Sequence, residues 1–125
     1  MRGEGGAACV SFLFRDAEKT SAGVEKTKAT KTDSEAHWHR WTANDGFLPG
    51  SGWHHVAVTY TFGKPKTIKG YIDGRETDGV WDMGGATDRA PVTDGDALMI
   101  GTGSTLASSH SMNGWLDDVA IYRGA

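Results

Sequence analysis

The sequence lacks the features that mark several specialised protein classes. Its 125 residues include one cysteine, Cys9, so no disulfide can form within the chain. Lys and Arg total 13 against 16 Asp and Glu, which gives a formal net charge of −3. Because no large basic field is available to gather phosphates, nucleic-acid binding is not expected. No apolar run reaches the roughly 18 residues that a membrane-spanning helix needs, so no membrane span is predicted.

The residue pattern predicts neither an export signal nor a helix. It begins MRGEGG, and the apolar stretch at 7–14 ends at once in Arg15 and Asp16. A secretory signal needs a basic start, a longer apolar segment and a small-residue cleavage site. The polar stretch 16–36 has no apolar residues at helical spacing, so it is interpreted as a long loop or a mobile hairpin.

Glycine, in contrast, is abundant, and it separates short runs of β-forming residues. The chain has 18 glycines, about twice the usual share of roughly 7%. The pair Asp73 and Gly74 is typical of a tight hairpin turn. The pattern predicts an all-β protein, an antiparallel β-sandwich, as a single domain over 1–125. The predicted strands lie at 9–14, 37–41, 53–60, 68–72, 76–81, 98–100 and 115–122.

Four segments resemble the motifs of a known family. They are GWHHVAVTY (52–60), GYIDG (70–74), LMIG (98–101) and GWLDDVAIYR (114–123). In their order and spacing they are similar to the laminin G-like jelly roll of the concanavalin A-like lectin/glucanase superfamily. The resemblance implies a non-catalytic module that binds carbohydrate or protein. It also implies an origin in a larger, exported bacterial multidomain protein, and therefore an extracytoplasmic location.

The resemblance also raises an expectation about the N-terminus. Only about 50 residues precede Trp53, whereas the family fold usually has further strands there, including one that pairs with the last strand. The chain is therefore expected to be an N-terminally incomplete domain. A missing partner leaves N–H and C=O groups unpaired along a sheet edge. Self-association through such an unpaired edge strand is the resulting hypothesis.

The segment His37, Trp38, His39 and Arg40 is the predicted ligand-contacting patch. Indole rings stack on the apolar faces of sugars, and on a regular strand Trp38 and Trp41 take opposite faces. His37 and His39 share a face and could hold Zn²⁺ or Cu²⁺, but no third ligand is identifiable, and no metal site is predicted there. Trp53 and Trp115, which lie inside the family motifs, are expected in the core.

No catalytic residue is predicted, and no cofactor is required. Asp88, Asp94 and Asp96 lie in a glycine-rich segment and are weak candidates for binding Ca²⁺. One alternative is a β-glucanase domain of the same fold, which would need two carboxyl groups about 5–5.5 Å apart, and no such pair is found. Another alternative is a purely structural insert that binds nothing.

Overall fold

The structure is a computed structural model, and it describes residues 2–4, 6–16, 37–92, 100 and 112–124. The chain forms two compact units, residues 1–94 and 95–125. All of the described strands belong to the first unit. The strands are β1 (Arg2–Glu4), β2 (Ala7–Arg15), β3 (Trp38–Phe47), β4 (Val56–Thr59), β5 (Lys69–Ile72), β6 (Arg75–Thr77) and β7 (Gly79–Met83).

Four strands form one antiparallel sheet in the order β1-β2-β3-β7. Gly6, at φ +86°, turns the chain from β1 into β2. Valine and the phenylalanines favour strand structure in β2. Strand β3 is longer than the strand predicted over 37–41, because it continues to Phe47. Gly46 there lies against Ala8 and Cys9, where any Cβ would come within 2.8 Å of the Cys9 Sγ.

The other three strands form a second antiparallel sheet in the order β4-β5-β6. Asp73 and Gly74 turn β5 into β6 with φ values of 51° and 77°, so the predicted hairpin is confirmed. The single strand predicted over 76–81 is wrong, because this segment is shared between the two sheets. Strand β6 pairs with β5, whereas β7 crosses over and pairs with β3.

The core lies between the facing sides of these two sheets. Val10, Trp41 and Ala43 from the first sheet are buried. Partly buried apolar side chains pack against them: Val58, Ile68, Ile72 and Trp81. Two packed antiparallel sheets around one apolar layer confirm the predicted all-β sandwich.

Aromatic rings extend this core on one side. Phe14 lies 5.9 Å from Tyr60 and 6.1 Å from Trp81, measured between ring centroids. Phe62 meets Phe14 edge-on at 5.6 Å. Edge-to-face and tilted contacts at these distances are the favourable ring geometries. Burial among the rings raises the pKa of the Tyr60 hydroxyl, because the charged phenolate is poorly solvated there.

Two predictions about tryptophan are wrong. Trp53 is 71% exposed and Trp115 is 86% exposed, although both were expected in the core. Trp53 lies outside the sheet because β4 begins only at Val56. Trp115 belongs to the second unit, in which the described residues 112–124 form no strand, contrary to the strand predicted over 115–122.

Other predicted features fall on residues that the structure does not describe. These are most of the polar segment 16–36 and most of the short strand at 98–100. Among the described residues, no helix has the length and the apolar character needed to cross a membrane.

Candidate ligand-binding surface

The predicted ligand patch divides between two sides of strand β3. His39 and Trp41 face the core, with 4% and 3% of their surfaces exposed. Trp38 lies on the opposite, outer face and is 39% exposed. Arg40 shares this outer face with Trp38, because side chains alternate along a strand. The structure therefore keeps Trp38 and Arg40 together and removes the two histidines from the patch.

Both histidines contact one buried carboxylate instead. The Asp16 Oδ1 atom lies 2.8 Å from His37 Nδ1, and its Oδ2 atom lies 3.3 Å from His39 Nε2. Arg89 donates from Nη1 to the same Oδ2 atom at 3.4 Å. Asp16 is 2% exposed, and three cationic or hydrogen-bonding partners compensate for the burial of its charge.

This Asp16 cluster ties three parts of the first unit together. Asp16 follows β2, the two histidines stand at the start of β3, and Arg89 comes from the loop after β7. A backbone bridge between Asp16 and Pro91 holds the same loop. His39 Nδ1 lies 2.9 Å from the carbonyl oxygen of Gly85. Since a carbonyl can only accept, Nδ1 carries a proton and donates it.

The cluster gives His37 and His39 a different position from the ligand-contacting patch predicted for them. His39 is buried, and both rings use a nitrogen to contact Asp16. Within the described ranges, no group of three or more His, Cys, Asp or Glu residues has the arrangement of a metal site. The cluster is therefore a packing and hydrogen-bonding element behind the outer face. Sequence reasoning missed Asp16, because nothing in its local pattern distinguishes it from a turn residue.

A row of polar groups crosses the outer face from β2 to β7. Arg40 Nε donates to Asp82 Oδ1 at 2.8 Å, and Thr42 Oγ1 donates to Asp82 Oδ2 at 3.2 Å. The hydroxyls of Ser11 and Thr42 lie 3.4 Å apart. The register explains this row, because Ser11 pairs with Thr42, and Thr42 with Val80. The Asp82 carboxylate thus holds the Arg40 side chain in one position.

Apolar side chains lie beside this polar row. Leu13 is 50% exposed, and Val80, the cross-strand partner of Thr42, is 53% exposed. Leu13 is the cross-strand partner of Arg40. We define the outer face as Ser11, Leu13, Trp38, Arg40, Thr42, Val80 and Asp82. An exposed indole beside a fixed charged pair is the chemistry that binds a partly apolar, hydroxyl-rich ligand.

A comparison with protein-family models assigns this fold to a known family. Residues 4–125 match the family model described as the concanavalin A-like lectin/glucanase superfamily, of the laminin G type. The chain belongs to this family. Neither a curated protein nor a solved structure gives a match. Membership in a laminin G-like family establishes the fold, and it is compatible with a binding module, whereas the ligand has to be argued from the residues.

The predicted calcium candidates lie apart from the outer face or outside the description. Asp88 is exposed in the loop after β7, and Asp94 and Asp96 lie outside the described residues.

The predicted four-residue ligand patch differs from the outer face, which is a surface built from three strands. Only Trp38 and Arg40 are common to both. The partner Asp82 could not be identified from the sequence, because it lies 42 residues along the chain from Arg40.

Proposed function

We propose that this laminin G-like module binds carbohydrate on the outer face of its four-stranded sheet. The observation that carries the proposal is the placement of an exposed indole, Trp38, two residues from Arg40 on one side of β3. Residues two apart on a strand are separated by roughly 7 Å, about the length of one sugar ring. A ring stacked on the indole would place its hydroxyl groups near the Arg40–Asp82 pair.

The charged pair supplies the polar half of this recognition. The guanidinium of Arg40 has donors beyond the Nε that Asp82 occupies, and the carboxylate can accept from hydroxyl groups. Because Asp82 already fixes Arg40 at 2.8 Å, less side-chain freedom is lost when a ligand binds. Sugar hydroxyls, which both donate and accept, match such a mixed pair. Affinity per site is expected to be weak, since the face is open rather than enclosed.

A protein ligand is the second candidate. It is favoured by the exposed Leu13 and Val80 on the same face as Trp38, since apolar and aromatic side chains form the centre of protein interfaces. We also propose that the module leaves glycosidic bonds intact. Its role would then be recognition within a larger assembly.

Binding to a glycan array, followed by titration calorimetry with the strongest ligand, tests the proposal. Trp38→Ala is expected to weaken binding about tenfold, equivalent to about 1.4 kcal/mol. Trp53→Ala is the matched control, because this tryptophan is also exposed but belongs to the segment before β4. Equal losses in both variants, or no loss in Trp38→Ala, would contradict the assignment of the face.

Two further outcomes distinguish the alternatives. An array without any bound glycan, together with failure to bind protein ligands, would favour the structural insert. Release of reducing ends from a β-glucan would favour the glucanase, because it requires cleavage of the chain. A circular dichroism spectrum that shows a folded wild-type protein is the condition for either conclusion.

A further inference from the structure

Three side chains away from the outer face form a hydrogen-bonded relay. Ser51 Oγ lies 2.8 Å from His54 Nε2, and His54 Nδ1 lies 2.7 Å from Asp73 Oδ2. Ser51 and His54 come from the segment before β4, and Asp73 comes from the turn between β5 and β6. A hydroxyl on one imidazole nitrogen and a carboxylate on the other is the arrangement that activates a serine nucleophile.

The carboxylate end of the relay is fixed and charged. Asp73 Oδ1 accepts from the backbone N–H of His55 at 2.9 Å, while Oδ2 faces the imidazole of His54. These two bonds, with the His54 side chain as the larger influence, lower the pKa of Asp73. An ionised Asp73 favours the proton on His54 Nδ1, and the lone pair of Nε2 then faces the Ser51 oxygen.

Packing fixes the plane of the imidazole. Phe47 stacks on His54 with ring centroids 4.2 Å apart and an angle of 18° between the planes. The Ser51 hydroxyl donates to the carbonyl oxygen of Leu48, and His54 Nε2 at 2.8 Å is the second possible acceptor for this proton. The hydroxyl has to rotate away from the carbonyl before its proton can pass to His54. Both contacts keep the Ser51 oxygen near the imidazole.

A groove adjoins the carboxylate end of the relay, where Asp73 lines it, whereas Ser51 and His54 are not among its lining residues. This groove of about 620 Å³ is lined by Asp73 with neighbouring residues of β3, β5 and β6: Asp45, Gly46, Ile72, Arg75, Glu76 and Thr77. Directly after Ser51, the backbone N–H groups of Gly52 and Trp53 donate to no acceptor in the described part of the chain. Backbone N–H groups next to a nucleophile are the donors that stabilise an oxyanion.

We propose that Ser51 is a nucleophile that hydrolyses small carboxylic esters, with His54 as its base and Asp73 as a positioning residue. Ser51 Oγ bonds to the ester carbonyl carbon while His54 Nε2 takes the hydroxyl proton. The ester C–O bond breaks, and the departing alcohol takes that proton, which leaves an acyl-Ser51. Water then attacks the acyl group, gives a proton to His54, and releases the acid, whereupon Ser51 recovers its proton.

This activity is independent of the proposed sugar binding, and it departs from the expectation of a chain without catalytic residues. The side chains of His54 and Asp73 are 18% and 50% exposed, so water is not excluded from the relay. A general base contributes about 10²–10⁴ in rate. The open site places the expected contribution of His54 at the lower end, about 10²-fold.

The test uses the whole chain with p-nitrophenyl acetate and a fluorophosphonate probe. Ester hydrolysis is expected to fall about 10²-fold in Ser51→Ala and in His54→Gln. His55→Gln is the matched control, because only the backbone of this neighbouring histidine contacts Asp73. Mass spectrometry of the fluorophosphonate product is expected to show one adduct per chain, located on Ser51.

Three results would overturn the proposal. The first is hydrolysis in Ser51→Ala equal to that of the wild-type chain, which would place the reaction on other surface groups. The second is a fluorophosphonate adduct that is absent or on another residue. The third is an equal loss in His54→Gln and His55→Gln. Urea denaturation of each variant shows whether it is folded, and the adduct on the wild-type chain tests Ser51 without any substitution.

Discussion

Replacing Asp16 by Asn is expected to destabilise the protein by about 3 kcal/mol. The carboxylate accepts from His37 at 2.8 Å and from Arg89 at 3.4 Å, and it contacts His39 at 3.3 Å. Removing one partner from a buried ionic network costs about 3–5 kcal/mol. Arg89 is 44% exposed, so solvent screens its attraction to Asp16. The expected loss therefore lies at the lower end of the roughly 3–5 kcal/mol range.

The geometry of an amide explains why the variant recovers only part of the loss. The amide oxygen can still accept from His37, and the NH₂ group can donate to His39 Nε2, but the same NH₂ group also faces Arg89, which only donates. The new donor–donor contact lies where almost no water can enter, because Asp16 is 2% exposed. A domain is typically stable by about 5–15 kcal/mol, so the variant should still fold.

Urea denaturation followed by circular dichroism measures the effect. With a slope of about 2 kcal/mol per molar urea, the midpoint should fall by about 1.5 M. Asp88→Asn is the control, since Asp88 is exposed in the same loop, and a shift within about 0.5 kcal/mol is expected. A loss below about 1 kcal/mol for Asp16→Asn would refute the claim that this carboxylate ties the loop to β2 and β3.

Three other predictions concern the hairpin, the core and the calcium candidates. The lowered pKa of Asp73 means that its charged form stabilises the fold. This contribution is present above the ordinary pKa of 3.8 and is lost as the pH falls through the lower pKa of the folded state. The free energy of unfolding, measured from about pH 5 downward, should therefore fall less steeply in Asp73→Asn than in the wild type, and parallel curves would contradict this. Gly79→Ala should destabilise by about 1–3 kcal/mol in thermal unfolding, because a Cβ there would approach the Thr42 carbonyl oxygen to 2.5 Å and overlap the Trp41 ring; an unchanged melting temperature would show that the ring moves freely. Glycan binding should be the same with EDTA as with millimolar calcium, and loss of binding in EDTA would indicate a calcium site at Asp88 or its neighbours.

Residue patterns along the chain predict the sheet elements well, because strand formation depends on local alternation and turn chemistry. The segments 9–14 and 68–72 correspond to β2 and β5, and the turn at Asp73 and Gly74 is confirmed. Trp41 and Trp38 face opposite sides of β3, as alternation predicts. The family motifs indicate the same fold, and the match over residues 4–125 confirms it.

Local patterns failed where a decision depends on distant residues. The segment 76–81 looks like one strand, but Thr77 pairs with Gly70 while Val80 pairs with Thr42 in the other sheet. Trp53 has the surroundings of a core residue in the sequence and is 71% exposed. The residues next to Thr77, Val80 and Trp53 in the sequence do not indicate which sheet each of them will join or whether it will be buried.

The candidate sites divide in the same way. Trp38 and Arg40 could be selected from the sequence, because an alternating strand places both on one side. Their partner Asp82, the link between Asp16 and the two histidines, and the approach of Asp73 to His54 are contacts across 19 or more residues of chain. Such contacts exist only after strands have paired in a particular register.

The sequence by itself determined that this protein is built from short strands, that its hairpin turns at Asp73, and that one tryptophan of β3 faces outward. These features depend on neighbouring residues, whose backbone preferences and alternation act over a few positions. Tertiary structure alone decided that His39 is buried against Asp16 and that Asp82 fixes Arg40. Pairing energies between strands select those partners, and they depend on register and packing across the whole sheet.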